Sequence, residues 1–235
     1  MALFCISDLH LPLGVDKPMD IFGGNWENYV EKIKKNWLEN IADDDYIVLP
    51  GDFCWAMRLD EARPDFDFIE ALPGIKILLK GNHDYWWDTI SKLERFMGEN
   101  CYSSINFLHN NAYLYKNTAL CGTRFWTCPG ASPFTAEDEK IYLRELGRAE
   151  LTLKPGILND AEDIIFFTHY PPVRSESEPD SGFAEIMKRY GVRRVVYGHL
   201  HGPACKNGYV GVCDRIEYIL ASADYLDFMP IKLAD

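Results

Sequence analysis

The segment LLKGNHDYWW, at residues 78–87, changes character within a few positions. Its hydrophobic start is typical of a buried strand, which here ends at Gly81. An amide, an imidazole and a carboxylate follow at Asn82, His83 and Asp84. Because ligands bind beyond the carboxyl ends of the strands in open α/β sheets, this change predicts a functional site at the end of the strand.

Polar side chains also follow four other predicted strands. In a strand, residues i and i+2 point to the same side, so a DxH or HxH pair directs both side chains into one cavity. Carboxylate, imidazole and amide groups are ligands of divalent ions such as Mn²⁺, Fe²⁺ and Zn²⁺. Together with Asn82, the set has seven members, enough for two metal ions that share one carboxylate. Its other members are Asp8 and His10 after LFCIS, Asp52 after YIVLPG, His169 after DIIFFT, and His199 and His201 after RRVVYG.

The order of the predicted elements indicates an α/β protein. In the first half, strand candidates alternate with helices, which predicts βαβ units and a mainly parallel sheet. Three short strand candidates at 105–110, 112–117 and 118–125 follow one another closely and predict hairpins. These strands and the strand-rich tail are expected to form a second sheet. A helix is predicted over 135–153, where T-A-E-D resembles a capping box.

Four further helices are predicted from hydrophobic periodicity and helix-end signals. The aromatic residues at 85–87 are expected to pack the start of the third of these helices into the core. The four lie at 26–40, within 58–72 with an interruption at Pro64, at 87–97 and at 181–191.

The composition fits a globular chain. The 235 residues are 47% hydrophobic, which allows a sizeable core. No hydrophobic run reaches the length of a membrane span and the start, MALFCISDLH, makes a poor signal peptide, so we expect a cytoplasmic protein without a membrane partner. Seven cysteines without a CxxC pair predict reduced structural thiols. The net charge of −12 disfavours a nucleic-acid groove but permits a small anionic substrate beside metal cations. The acidic runs 137–140 and 175–180 are expected on the surface.

Five motifs together resemble the pattern of the calcineurin-like metallophosphoesterases. That pattern is DxH, GD, GNH followed by Asp or Glu, a lone His, and GHxH, and all five blocks stand in order between residues 8 and 201. The resemblance implies an α/β fold in which a two-layer β-sandwich of mixed sheets is flanked by helices, in four αββα layers, as one domain over residues 1–235. It also implies a dinuclear metal site. Asp8, His10 and His201 would hold one metal, Asn82, His169 and His199 the other, and Asp52 would bridge both.

The same resemblance implies a phosphohydrolase, in which a metal-bridging hydroxide attacks phosphorus in line. His83 would protonate the leaving oxygen, and Asp84 would orient His83 and favour its charged form. The metals stay open among Mn, Fe and Zn. Arg124, in GTRFW after a predicted strand, either pairs with phosphate oxygens or forms a structural ion pair. His109 lies in a polar turn and receives no role.

Departures from the family pattern narrow the function. The protein Ser/Thr phosphatase branch has an Asp-Arg pair where this chain has Trp55 and Ala56, and an Arg where it has Lys80. These differences favour a small bacterial phosphohydrolase whose substrate is a phosphomonoester or a small phosphodiester. A nuclease and a catalytically silent scaffold are the alternatives. The segment 101–153 lies outside the shared motifs and is expected to form a lid, a rim or an interface; the oligomeric state does not follow from the sequence.

Overall fold

The chain divides into two compact units, each with one mixed sheet and its own hydrophobic core. The computed structural model describes residues 1–154, 161–173 and 182–235. The first unit comprises Met1–Phe107 and Ala221–Asp235, and the second comprises Leu108–Leu220.

The regular elements of the described residues are short strands and helices of two to five turns. The strands are β1 (Leu3–Cys5), β2 (Tyr46–Leu49), β3 (Ile75–Leu78), β4 (Ile105–Phe107), β5 (Ala112–Tyr115), β6 (Thr118–Thr123), β7 (Asp163–Thr168), β8 (Arg194–Tyr197), β9 (Gly211–Cys213), β10 (Ile216–Leu220) and β11 (Ile231–Ala234). The α-helices are α1 (Tyr29–Asn40), α2 (Arg63–Glu70), α3 (Ile90–Glu99), α4 (Ala136–Thr152) and α5 (Gly182–Arg189). Short 3₁₀ helices cover Met19–Phe22, Gly24–Trp26 and Gly202–Asn207.

The sheet of the first unit has the order β11-β1-β2-β3-β4. Strands β1 to β4 are parallel and β11 is antiparallel to β1. Helices α1, α2 and α3 connect the parallel strands in turn, so the predicted βαβ units are confirmed. Each helix buries apolar side chains in the core of this unit, such as Trp37 of α1, Phe66 of α2 and Leu93 of α3.

Helix α2 begins where the sequence predicted an interruption. Pro64 lies in its first turn, and the helix runs from Arg63 to Glu70. The first N–H groups of a helix have no partner within the helix, so the missing N–H of proline removes no hydrogen bond there. The prediction of a helix in this region is confirmed, but the expected interruption at Pro64 is wrong.

The sheet of the second unit has the order β5-β6-β7-β8-β10-β9. Its four central strands are parallel, and β5 and β9 are antiparallel to their neighbours. Helix α4 begins at the predicted capping box, in which Thr135 Oγ1 accepts from the N–H of Asp138 at 3.2 Å and Asp138 Oδ2 accepts from the N–H of Thr135 at 2.8 Å. Helices α4 and α5 bury Tyr142 and Phe183 in the core of this unit.

The α/β class, with two mixed sheets flanked by helices, is confirmed. Strands β5 and β6 form a predicted hairpin, but the expectation that β4 joins it is wrong. Strand β4 pairs in parallel with β3, because α3 carries the chain across to the same sheet. The last tail strand, β11, belongs to the first sheet rather than the second.

Three expectations concern particular segments. The segment 101–153 includes β4, β5, β6 and α4, and its role as a lid, rim or interface stays a prediction. The acidic run 175–180 and the first residue of the predicted helix 181–191 lie outside the described residues. None of the helices in the described part of the chain is both long and apolar enough to cross a membrane.

Candidate metal centre

In the first unit, the motif residues lie just beyond the carboxyl ends of three adjacent parallel strands. Asp8 follows β1, Asp52 follows β2 and residues 82–84 follow β3. Asp8, His10 and Asp52 are almost completely buried. A donor atom of Asp8 lies within 4.8 Å of one from His10 and of one from Asp52. Buried carboxylates and an imidazole at this spacing are the donors that a divalent cation requires.

The carboxylate of Asp52 is held by the loop that follows β3. Its Oδ1 accepts a hydrogen bond from the N–H of His83 at 2.7 Å, and its Oδ2 lies 3.8 Å from His10 Nε2. The second distance is too long for a hydrogen bond. It suits two ligands of one ion, since the donor atoms of a tetrahedral shell lie about 3.4 Å apart. The residues present therefore fit a bound cation.

Gly81 allows the two loops of the first unit to approach closely. A Cβ atom at this position would lie 2.1 Å from Asp52 Oδ1 and 2.2 Å from the Asp52 backbone nitrogen. No carbon atom fits at such distances, so a side chain here would displace Asp52. On the facing loop, Gly51 and Asp52 have φ values of 100° and 50°, in the left-handed region that glycine adopts without strain.

Asp84 ties these two loops together. Burial raises the pKa of its carboxyl to about 6, although the surrounding N–H donors favour the charged form. Through the hydrogen bonds of its carboxylate, Asp84 holds the backbone of both loops. Its role of orienting the His83 side chain stays a prediction. Its carboxylate accepts four hydrogen bonds of 2.7–3.0 Å, from the N–H groups of Asp52, Phe53 and Gly81 and from Trp86 Nε1.

Aromatic side chains surround the two histidines of the first unit. The ring of Trp55 stacks on His10, with centroids 4.5 Å apart and planes inclined by 20°. It also lies 4.8 Å from the ring of His83. The hydroxyl of Tyr29 donates to the carbonyl of His10 at 2.7 Å. Trp55 and Tyr29 therefore fix the position of a candidate metal ligand.

In the second unit, polar residues follow the adjacent parallel strands β6, β7 and β8. These residues are Arg124, His169 and His199. The carbonyl of Arg124 accepts hydrogen bonds from the N–H groups of His169 and Tyr170, both at 3.1 Å. This contact ties the end of β6 to the end of β7. His201 stands two positions after His199 and is half-buried.

His169 and His199 form a pair of nitrogen donors. His169 Nε2 lies 3.2 Å from His199 Nδ1, close to the separation expected for two ligands in one tetrahedral shell. His169 is fully buried, and the ring of Tyr170 lies 4.3 Å from that of His199. The second unit therefore also presents imidazoles in an arrangement that fits a divalent cation.

The guanidinium of Arg124 lies against an aromatic ring rather than a carboxylate. Its Cζ is 4.6 Å from the ring centroid of Trp126. Burial lowers the pKa of Arg124, and the nearby charge of Glu145 opposes that shift. Glu145 accepts from the N–H of Phe125 and pairs with Arg148. Within residues 1–154, 161–173 and 182–235, Arg124 forms no ion pair.

Several contacts of the site residues were not predicted from the sequence. Tyr29 lies within the predicted helix 26–40 without an assigned role, and Trp55 enters the sequence analysis only as a departure from one branch of the family. Trp86 and Trp87 are buried as expected, but Tyr85 is 56% exposed and lies beside His83, with ring centroids 6.2 Å apart. The sequence signal for Trp55 was its position three residues after Asp52.

Buried carboxylate and imidazole donors at the ends of parallel strands are the kind of site in which metal-dependent hydrolases hold their ions. The sequence model of the calcineurin-like phosphoesterases matches residues 1–203, which include all five motif blocks. The chain therefore belongs to the calcineurin-like phosphoesterase family and is a metal-dependent phosphohydrolase.

Solved structures share the fold at low sequence identity. A phosphopantetheinyl hydrolase from Mycobacterium tuberculosis is 14% identical with a TM-score of 0.57, over 99% of this chain and 95% of that chain. TT1561 of Thermus thermophilus is 14% identical with a TM-score of 0.55, over 99% and 97%. AQ665 from Aquifex aeolicus is 20% identical with a TM-score of 0.52, over 98% and 95%. A search of curated proteins finds no match.

Proposed function

We propose that this protein hydrolyses a phosphomonoester or a small phosphodiester at a centre of two divalent metal ions. The observation that carries the proposal is the carboxylate of Asp52, which is buried, is fixed by the N–H of His83 and faces His10 Nε2. This arrangement and the ordered motifs support Asp52 as the ligand shared by both ions.

The remaining ligands follow the family pattern. The proximity of Asp8 to His10 supports one half of the set, and the proximity of His169 to His199 supports the other. Carboxylate and imidazole donors leave Mn, Fe and Zn as candidate metals. Asp8, His10 and His201 would hold one ion, and Asn82, His169 and His199 the other.

The protein side chains position the substrate and move one proton. When bound, two such cations lower the pKa of a water molecule and neutralise charge on phosphoryl oxygens. The ions would thereby supply an attacking oxygen for an in-line displacement at phosphorus. His83 gives a proton from its imidazolium to the leaving oxygen, so the leaving group departs as a neutral alcohol. Asp84 keeps the His83 loop against Asp52 through the backbone contacts described above.

Arg124 binds the phosphate in this proposal. Its guanidinium lies against the ring of Trp126, and its backbone carbonyl, at the end of β6, accepts a hydrogen bond from the N–H of His169. A guanidinium forms two parallel hydrogen bonds with a phosphate group. Of the two roles that the sequence left open for Arg124, a phosphate contact and a structural ion pair, we propose the phosphate contact.

The first test separates proton transfer from metal binding. We expect the purified protein with Mn²⁺ to hydrolyse p-nitrophenyl phosphate or bis-p-nitrophenyl phosphate. His83→Ala should retain metal in elemental analysis but lose about 100-fold or more of its rate on alkyl esters, whose leaving groups need a proton. His109→Ala, a histidine outside the motifs, serves as the matched control and should keep the wild-type rate.

The second test concerns the shared carboxylate. Asp52→Asn should reduce the content of both metals, because an amide is a weaker ligand that cannot bridge two cations as a carboxylate does. Full occupancy by two metals together with wild-type activity would show that Asp52 is not the bridge. Hydrolysis of neither ester would favour the silent scaffold, and cleavage of single-stranded or double-stranded DNA in preference to both esters would favour the nuclease.

A further inference from the structure

Lys17 is placed beside the site of the first unit by an aromatic ring. Its Nζ atom lies 3.5 Å from the ring centroid of Trp55. An ammonium over a tryptophan ring is attracted by the negative face of the ring. Lys17 is exposed, so water and small molecules reach the charge while the ring restrains its position.

Trp55 relates this charge to the two histidines of the site. The ring is 9% exposed and contacts both His10 and His83. The ring therefore has little room to turn, and it contacts both the ammonium of Lys17 and the imidazole of His83, the proposed general acid. The exposed ring of Tyr85 contacts His83 as well, which gives the surface around His83 an aromatic character.

Among the described residues, the ammonium of Lys17 forms no ion pair with a carboxylate. Its contact there is the ring of Trp55. Several other lysines are paired with carboxylates, such as Lys92 with Asp88 and Lys188 with Asp214. The protein has 36 acidic and 24 basic side chains, so its overall field repels anions. A cation held beside the site weakens that repulsion locally, where an anionic substrate would bind.

We propose that Lys17 and Trp55 form a subsite for a negatively charged leaving group. The inference rests on the proposed function, because His83 marks the side of the site from which the leaving group departs. Lys17 contacts the ring of Trp55 rather than His83 itself, so in this proposal it meets a second charged group of the substrate and not the reacting phosphorus. The preferred substrates are then phosphate esters whose alcohol part carries a carboxylate or another phosphate.

The test uses two aryl phosphates of the same shape, 4-carboxyphenyl phosphate and 4-carbamoylphenyl phosphate, which differ in the charge of the leaving group. The wild-type enzyme with Mn²⁺ should have the higher kcat/KM for the carboxylate. Lys17→Met should lower the ratio of the two kcat/KM values about tenfold, the effect of one hydrogen bond to a charged group. Lys17→Arg should restore most of the ratio. Lys34→Met, which removes an exposed lysine of α1, should leave it unchanged.

The outcomes separate this inference from the proposed function. Hydrolysis of both esters with the same ratio in the wild type and Lys17→Met would overturn the subsite and leave the phosphoesterase proposal intact. Hydrolysis of neither ester by the wild type would overturn both. Because Lys17 is exposed, we expect the Tm of Lys17→Met to equal that of the wild type. A large shift in Tm would assign Lys17 a structural role and overturn the subsite.

Discussion

At the scale of single residues, the site depends on backbone geometry as much as on ligands. Asp52 is a candidate ligand, yet its position follows from Gly81, Asp84 and the N–H of His83. Asp8, His10 and Asp52 all have positive φ values, of 62°, 46° and 50°. Such a conformation costs free energy for residues other than glycine, and the buried hydrogen bonds around these loops offset it.

The close approach at Gly81 gives a direct prediction. Gly81→Ala should push Asp52 from its place, because the new Cβ atom would lie about 2 Å from its carboxylate and backbone. We expect the kcat/KM for p-nitrophenyl phosphate to fall roughly 100-fold, the effect of misplacing a group by about 1 Å. Metal content by elemental analysis should fall with it.

Gly98→Ala is the control for this prediction. Gly98 lies in α3, and within the described chain no atom approaches a Cβ at this position within 4 Å. Alanine is the better helix former, so this variant should be more stable by about 0.5–1 kcal/mol in urea unfolding and should keep full activity. Equal activities of the two alanine variants would refute the steric argument at Gly81.

At the scale of elements, helix α2 supports the loop that leaves His10. Asp65, in its first turn, is fully buried, and its Oδ1 accepts from the N–H of Leu13 at 2.9 Å. Burial raises the pKa of Asp65 to about 7, while the N–H groups of Leu13 and Gly14 and the thiol of Cys54 favour the charged form. A carboxyl group whose pKa rises on folding therefore joins α2 to the loop that follows His10.

This carboxyl group should make stability depend on pH. The folded protein holds the proton of Asp65 up to about pH 7, whereas the unfolded chain loses it near pH 4. Between these values the folded state binds more protons, so its contribution to the free energy of unfolding falls as pH rises, by at most about 1.4 kcal/mol per pH unit. Asp65→Asn, measured by urea unfolding with a chelator present, should have a flatter dependence.

Asp16→Asn provides the comparison for Asp65. Asp16 is exposed in the loop that follows Leu13. We therefore expect the free energy of unfolding of Asp16→Asn to depend on pH as in the wild type. The same slope in all three proteins between pH 4 and 7 would refute a raised pKa for Asp65.

The elements also show what periodicity predicts and what it does not. The βαβ units of the first half and the capping box of Thr135 are local patterns, and both are confirmed. The partner of β4 depends on α3 and on burial against β3, which a run of three hydrophobic residues does not reveal. Pro64 was misread because an isolated proline marks either a break or a first turn.

At the scale of the whole molecule, the family motifs predicted the candidate ligands in both units. Tyr29 and Trp55, which contact the candidate ligand His10, belong to no motif, and neither does Lys17, which contacts Trp55; all these contacts depend on tertiary packing. The sequence therefore predicts which side chains are candidate ligands, and the structure identifies the neighbouring residues that contact them.

The proposed ligand set predicts that metal stabilises the strands that the ligands follow. Mn²⁺ binds the folded state, so it should slow hydrogen exchange of amides in β2 of the first unit and in β7 of the second. The measurement compares the wild type with and without Mn²⁺, and Asp52→Asn should lose most of the protection in both strands. Protection confined to one of these strands would contradict the proposed ligand set.

The position of β11 has a consequence for biosynthesis. This strand covers the edge of β1, yet it is translated after the whole of the second unit. The nascent chain on the ribosome therefore carries β1 without its antiparallel neighbour while residues 108–220 emerge and gather. An uncovered strand edge can pair with other strands, so we expect the nascent chain to be open to misassembly until β11 has been synthesised.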